Sequence, residues 1–177
     1  MYSGVRNNSP WLVLIAFCLL VAGASRSSRH RVALDLGIGL ALFIATWLGR
    51  IWLLPRAFLH QNGQGPAWIS YALREDVGLS SYGPGYPELF AASARLAGAR
   101  PEQGVWMLMS LLGALVPTVL YLVARSVGAR RWPALGIALV AACDPVLGRV
   151  AQSESYFGAI TALAALAMLA LACAEPK

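Results

Sequence analysis

Charge is what this sequence has least of. Only 12% of its 177 residues are Asp, Glu, Lys or Arg, while 58% are hydrophobic and the mean hydropathy is +0.62. A soluble domain so composed has too little polar surface to cover itself, whereas a lipid-facing bundle needs little. Lysine is almost absent, since thirteen of the fourteen basic residues are Arg. They sit in short clusters between apolar runs. That pattern suits bilayer anchoring and orientation and excludes nucleic-acid binding as the expected role. Cysteine is scarce too. Cys18, Cys143 and Cys173 each lie in or at the end of an apolar stretch, with no Cys-x-x-Cys spacing and no adjacent His. They form neither a disulfide frame nor a metal site and read as small buried hydrophobes. Internal repeats and low-complexity segments are also lacking.

What is present is a series of apolar stretches. Residues 32–54, 104–124 and 155–174 each satisfy the roughly 20 residues that a helix needs to cross a bilayer core about 30 Å thick. Residues 11–24 and 133–147 are shorter and reach that length with their neighbours. The expected fold is all-α: a polytopic transmembrane bundle of five spans, at about 10–25, 32–54, 104–124, 132–148 and 155–174. Ala22-Gly23-Ala24 would also suit cleavage of a signal peptide. Cleavage there would leave Arg26, Arg29 and Arg31 outside, so a retained span is the better expectation.

The loops set an orientation. Residues 25–31 and 125–131 each hold three Arg and no acid, and residues 55–103 balance four Arg with four acids. The positive-inside rule puts the first two in the cytoplasm, and 55–103 and 148–154 outside. The expected setting is a multi-pass protein of a bacterial inner (plasma) membrane. The 55–103 loop is too long for a plain connector. Pro66 and Pro87 can each start a helix. The second places Leu89, Phe90, Ser93, Leu96 and Ala97 on one face, and both are expected to lie at the membrane surface. Within the spans, Asp35 falls four residues after Arg31, the spacing of an intrahelical pair. Arg50 and Asp144 are expected to pair across the bundle, because intramembrane charges usually find partners.

Several motifs occur in a suggestive order. They are His60-Gln61-Asn62-Gly63-Gln64-Gly65-Pro66, Tyr86-Pro87-Glu88-Leu89-Phe90, Leu122-Val123-Ala124-Arg125, and Asp144-Pro145 followed by Arg149, Ser153 and Glu154. Set against the spans, they resemble the N-terminal part of the GT-C superfamily of membrane glycosyltransferases, which includes protein O-mannosyltransferases and aminoarabinose transferases. The resemblance covers about residues 32–174. It implies transfer of a sugar from a polyprenyl-phosphate carrier to an acceptor at the outer membrane face. The partners implied are the bilayer and that lipid-linked donor, together with a second subunit or a C-terminal half bearing further spans. A divalent metal is compatible with such sites, but no metal ligands stand out.

That chemistry needs a carboxylate to take or polarise the acceptor's proton, and cations or donors for the leaving phosphate. Glu154 matches the family's second acidic residue, and it could equally cap the helix that follows. Where the family has an early acid, this chain has His60 and Asn62. An amide cannot act as a base, whereas His60 can accept a proton near neutral pH. Glu75 and Asp76 are alternative bases. Arg149 and Arg56 are candidates for the carrier phosphate, against snorkelling to headgroups. Gln61 and Gln64 offer amide groups to a sugar or phosphate. Trp68, Tyr71 and Tyr86 are candidates for stacking on a sugar ring, although interfacial aromatic belts use the same residues. Two other classes stay open. One is a non-catalytic scaffold or carrier-binding subunit, favoured by the missing early acid. The other is a small transporter, which would need broken spans with polar residues near mid-membrane.

Overall fold

Apolar length dictates the helices, and one of them organises the rest. The computed structural model describes residues 29–54, 85–97, 101–153 and 155–174. They form α1 (Arg29–Leu53), α2 (Gly85–Ala97), α3 (Pro101–Ser126), α4 (Arg131–Cys143), α5 (Pro145–Ala151) and α6 (Tyr156–Ala174). Every described element is helical. The expected span at 10–25 and the loop through residue 84, including the helix expected from Pro66, lie outside the described residues.

Among the described residues, three helices are long and apolar enough to cross a membrane: α1, α3 and α6. They answer to the stretches at 32–54, 104–124 and 155–174. Helix α3 is the hub, with α1, α2, α4, α5 and α6 all packed on it. Of its span, 56% is buried inside the protein, against 28% for α6 and 11% for α1. The outer helices therefore turn most of their apolar surface outward. Leu40, Ile44 and Leu48 form an exposed stripe on α1, and Ile160, Leu163, Met168 and Leu171 are exposed on α6. A soluble monomer rarely leaves that much apolar surface bare, whereas lipid covers it without cost.

Small residues bring the helices close to α3. A Cβ at Gly104 would stand 2.2 Å from the Ser93 carbonyl of α2, and one at Gly113 would stand 2.2 Å from the Ala151 Cβ of α5. Neither position tolerates a side chain without a shift of the neighbouring helix. Pro117 lies inside α3, which nonetheless remains one helix. The adjacent Thr118 hydroxyl donates to the Ala114 carbonyl and to that of Gly39 in α1, tying the two spans together.

Two expectations are corrected. The stretch at 132–148 is not one straight span. It is α4 and α5, bent by 60° at Asp144. At 1.5 Å per residue the thirteen residues of α4 cover only about 20 Å, so the pair spans a bilayer only as one broken unit. Among the described residues, the helices able to cross a membrane are thus three, or four with the bent pair. The second correction concerns α2, which packs on the first turns of α3 through Phe90, Ala91 and Ala94, against Val105 and Met109. Leu96, expected on one face with Phe90, is 91% exposed while Phe90 is fully buried. The tight contact at Gly104 selects the face one position round from the one that hydrophobicity alone favoured.

Candidate functional site

The bundle holds two polar clusters, one toward each end of α1. The first is built around Asp35. Its Oδ1 accepts from the Tyr121 hydroxyl at 3.0 Å and from Arg131 Nε at 2.9 Å, and its Oδ2 accepts from Arg125 Nε at 3.0 Å and Nη2 at 2.8 Å. One carboxylate thus joins α1, α3 and α4. A local signal makes this geometry. Gly128 takes a φ of 94°, and the Ala129 N–H reaches back to the Ala124 carbonyl, so α3 ends in a Schellman turn. The turn reverses the chain and delivers Arg131 to Asp35, while Arg125 Nη1 also donates to the Ala129 carbonyl. The partners of Asp35 come from distant segments, so the expected intrahelical spacing to Arg31 is not what holds it. With every lone pair direction served, this cluster is a clamp.

The second cluster lies at the other end, where the α4–α5 unit breaks. Pro145 has no N–H to return to the Ala141 carbonyl four residues back, and a residue before proline is pushed to extended backbone. Asp144 is extended, with φ −63° and ψ 121°. Helix α4 therefore stops, and its last carbonyls lose their helical partners. Asp144 then caps α5, accepting from the Leu147 N–H at 2.7 Å through Oδ1.

Arg50 of α1 meets the broken end. Its Nη2 donates to the carbonyls of Ala141 at 3.3 Å and Ala142 at 3.5 Å. The cation sits at the negative end of the α4 dipole, where it is favoured. It makes no direct salt bridge with Asp144, whose Oδ1 the break commits to the cap of α5, although the carboxylate is near enough to attract the cation through space. Arg50 is 4% exposed, and its Nε and Nη1 have no hydrogen-bond partner among the described residues. Because helical side chains lean toward the helix N-terminus, the guanidinium reaches back along α3. Its Nη1 lies 3.0 Å from where a Cβ on Gly113 would stand, near the middle of α3.

The wall beyond Gly113 is the end of α5 and the link to α6. Gln152, Ser153 and Ser155 are all buried. Ser153 donates to the Val150 carbonyl, and Ser155 accepts from the Phe157 N–H and so caps α6. Gln152 Nε2 is buried with no hydrogen-bond partner among the described residues. Trp47 adds a further polar contact at this end, donating from Nε1 to Ser110 Oγ at 3.2 Å.

Of the residues singled out from sequence, Arg149 is described. It lies on the last turn of α5 with its side chain exposed, apart from the buried cluster. Tyr86 lies in α2, but its side chain is outside the described residues. Arg56, His60, Gln61, Asn62, Gln64, Trp68, Tyr71, Glu75, Asp76 and Glu154 are outside them as well. Among the described residues no three His, Cys, Asp or Glu side chains gather as a metal site would require. Sequence reasoning singled out Ser153 but missed Gln152 and Ser155, although a polar Gln-Ser-Glu-Ser run between two apolar stretches was a readable signal. Comparison with known protein families, with curated proteins and with solved structures gives no match.

Proposed function

We propose that this chain is a membrane-embedded, GT-C-like glycosyltransferase or the N-terminal portion of one. It would take a sugar from a polyprenyl-phosphate carrier at the outer membrane face. The observation that carries this reading is the broken α4–α5 unit, which brings the end carbonyls of α4, a buried cation and buried Gln and Ser side chains into this end of the bundle. Irregular backbone at membrane depth is tolerated where it is enclosed by protein or lines a cavity, and intramembrane ionisable groups commonly mark functional sites. A donor with a lipid tail and a charged head needs such a place. On this reading Glu154, one residue beyond the buried Ser153, assists the acceptor, with His60 as the alternative base.

A second reading, a carrier-binding subunit without catalysis, is favoured by one observation. Asp144, the acid described at this end, has an oxygen committed to the cap of α5 and is poorly free to act as a base. Transfer assays with a polyprenyl-phosphate sugar separate the two. Glu154→Gln is expected to reduce turnover at least a hundredfold, the usual contribution of a positioned acid or base, while carrier binding persists. Unchanged turnover would remove Glu154 from the mechanism. Binding without turnover in the parent protein would select the second reading.

A further inference from the structure

We propose that the corner between α3 and α4, centred on Arg130 and Trp132, is a docking surface for the headgroups of anionic phospholipids. This rests on the membrane reading above and is independent of any sugar transfer. The spans place the corner. The α1 span begins at Arg31 and the α3 span ends at Ser126. Residues 127–132 therefore lie just beyond the apolar length, at the depth where acyl chains give way to headgroups.

Apolar and basic side chains stand exposed together there. Val127 is 66% exposed and Trp132 is 82% exposed. Arg130 is exposed as well, and it neither caps α4 nor joins the ion pairs of this corner. The Asp35 clamp accounts for this. Arg125 donates to the Ala129 carbonyl and Arg131 to Asp35, which fixes the turn on both sides of Arg130. With Arg131 directed inward to the carboxylate, Arg130 on the extended residue before it is left facing out.

Charge selects the partner. Arg125, Arg130 and Arg131 stand against one acid, Asp35, whose oxygens already accept from Tyr121 and two of those arginines. The corner keeps a positive surplus. At the far end the described charges lie closer to balance, with Arg50, Arg95 and Arg149 set against Glu88 and Asp144. A zwitterionic headgroup brings its own cation and offers the corner no net charge, whereas an anionic one does. The bilayer beneath it receives Val127 and the ring of Trp132, which settles at this depth with its N–H toward the headgroups. A soluble acidic peptide would meet Arg130 and give those two apolar side chains nothing to enter.

The full chain in dodecyl maltoside tests this. Its melting temperature is followed as dioleoylphosphatidylglycerol or dioleoylphosphatidylcholine is added to the micelles at low salt. Saturable stabilisation by phosphatidylglycerol, beyond that given by phosphatidylcholine, is expected. In Arg130→Gln the half-saturating lipid fraction should rise about fivefold, the weight of one arginine near an anionic surface. Arg130→Lys should keep the parent value, and Trp132→Ala should raise it. Added salt should weaken the response of the parent more than that of Arg130→Gln. Arg95→Gln, exposed on α2, should titrate like the parent.

Equal stabilisation by both lipids overturns the surface, and so does an Arg130→Gln variant that titrates like the parent. A shift in Arg95→Gln as large as that in Arg130→Gln would show that net charge acts without this corner. Soluble polyglutamate that reproduces the gain would replace the lipid with an acidic protein. Should Arg130→Gln fail to fold, Trp132→Ala decides, because an unchanged half-saturation there overturns the surface. The membrane reading fails by a different sign: alkaline carbonate would release the chain from its native membranes, whereas failure of the surface alone leaves it inserted.

Discussion

Toward its start α1 carries Asp35, whose oxygens accept four hydrogen bonds from α3 and α4. Toward its end it carries Arg50, which gives two long hydrogen bonds to carbonyls and leaves two nitrogens unmatched among the described residues. Both charges lie in the same apolar helix, and both are mostly withdrawn from solvent. The difference lies in what the chain has built around them. At Asp35 a glycine turn and two arginines complete the shell. At Arg50 a proline opens a helix end, and the shell stays incomplete. The first arrangement holds helices together, whereas the second tolerates an unpaired charge that a purely structural bundle would gain by replacing with an apolar side chain.

If that contrast is right, the largest loss of stability should come from the complete cluster. Asp35→Ala would leave Arg125 and Arg131 side by side without their counter-charge. Removing one partner of a fully buried pair costs about 3–5 kcal/mol, and exposure lowers this. Arg131 is 35% exposed and Arg125 21%, so a cost of about 2–3 kcal/mol is expected. A lowered melting temperature in detergent, rescued little by salt, is the readout. A change no larger than that of a surface substitution would show that Asp35 is not a clamp.

The spans were legible because apolar length alone decides them, and the helices at 32–54, 104–124 and 155–174 differ from expectation only at their ends. The clamp was half legible. Asp35 stands out in a sequence so poor in charge, but Tyr121, Arg125 and Arg131 lie so far along the chain that only the packing on α3 brings them near. The break at Asp144-Pro145 was written plainly in the dipeptide, yet a proline near the end of an apolar run reads equally well as the end of a span. Arg50 was matched to Asp144, which does attract it through space, but its hydrogen bonds go to the carbonyls of Ala141 and Ala142. A charge pair could be anticipated, but the capture of Asp144 by the Leu147 N–H is a consequence of the break. Of the motifs that carry the glycosyltransferase resemblance, His60–Pro66 and Glu154 lie outside the described residues, and the others fall on α2, α3 and the α4–α5 unit. The resemblance itself rests on their order in the sequence.

A smaller effect is expected where α5 is pressed onto α3. Gly113→Ala would place a methyl group 2.2 Å from the Ala151 Cβ and 3.0 Å from Arg50 Nη1. Overpacking of this kind typically costs about 1–3 kcal/mol. A lowered melting temperature in detergent is the readout. An unchanged one would show that α5 is not pressed onto α3 at this point.

The smallest effect on stability should come from Arg50 itself. Arg50→Met keeps much of the side-chain volume and removes a buried charge that has no direct salt bridge and only the through-space attraction of Asp144. Against that gain stands the loss of the two hydrogen bonds to Ala141 and Ala142, both long and both made to a helix end already opened by Pro145. A net hydrogen bond is worth about 1 kcal/mol and somewhat more to a charged donor, which is comparable with the relief of an unmatched buried cation. The two terms nearly cancel, so the melting temperature of Arg50→Met should stay close to that of the parent or rise. Asp35→Ala, at the other end of the same helix, should fall well below it. A loss in Arg50→Met as large as that in Asp35→Ala would mean that both charges are structural, and that Arg50 serves to seal the end of α4.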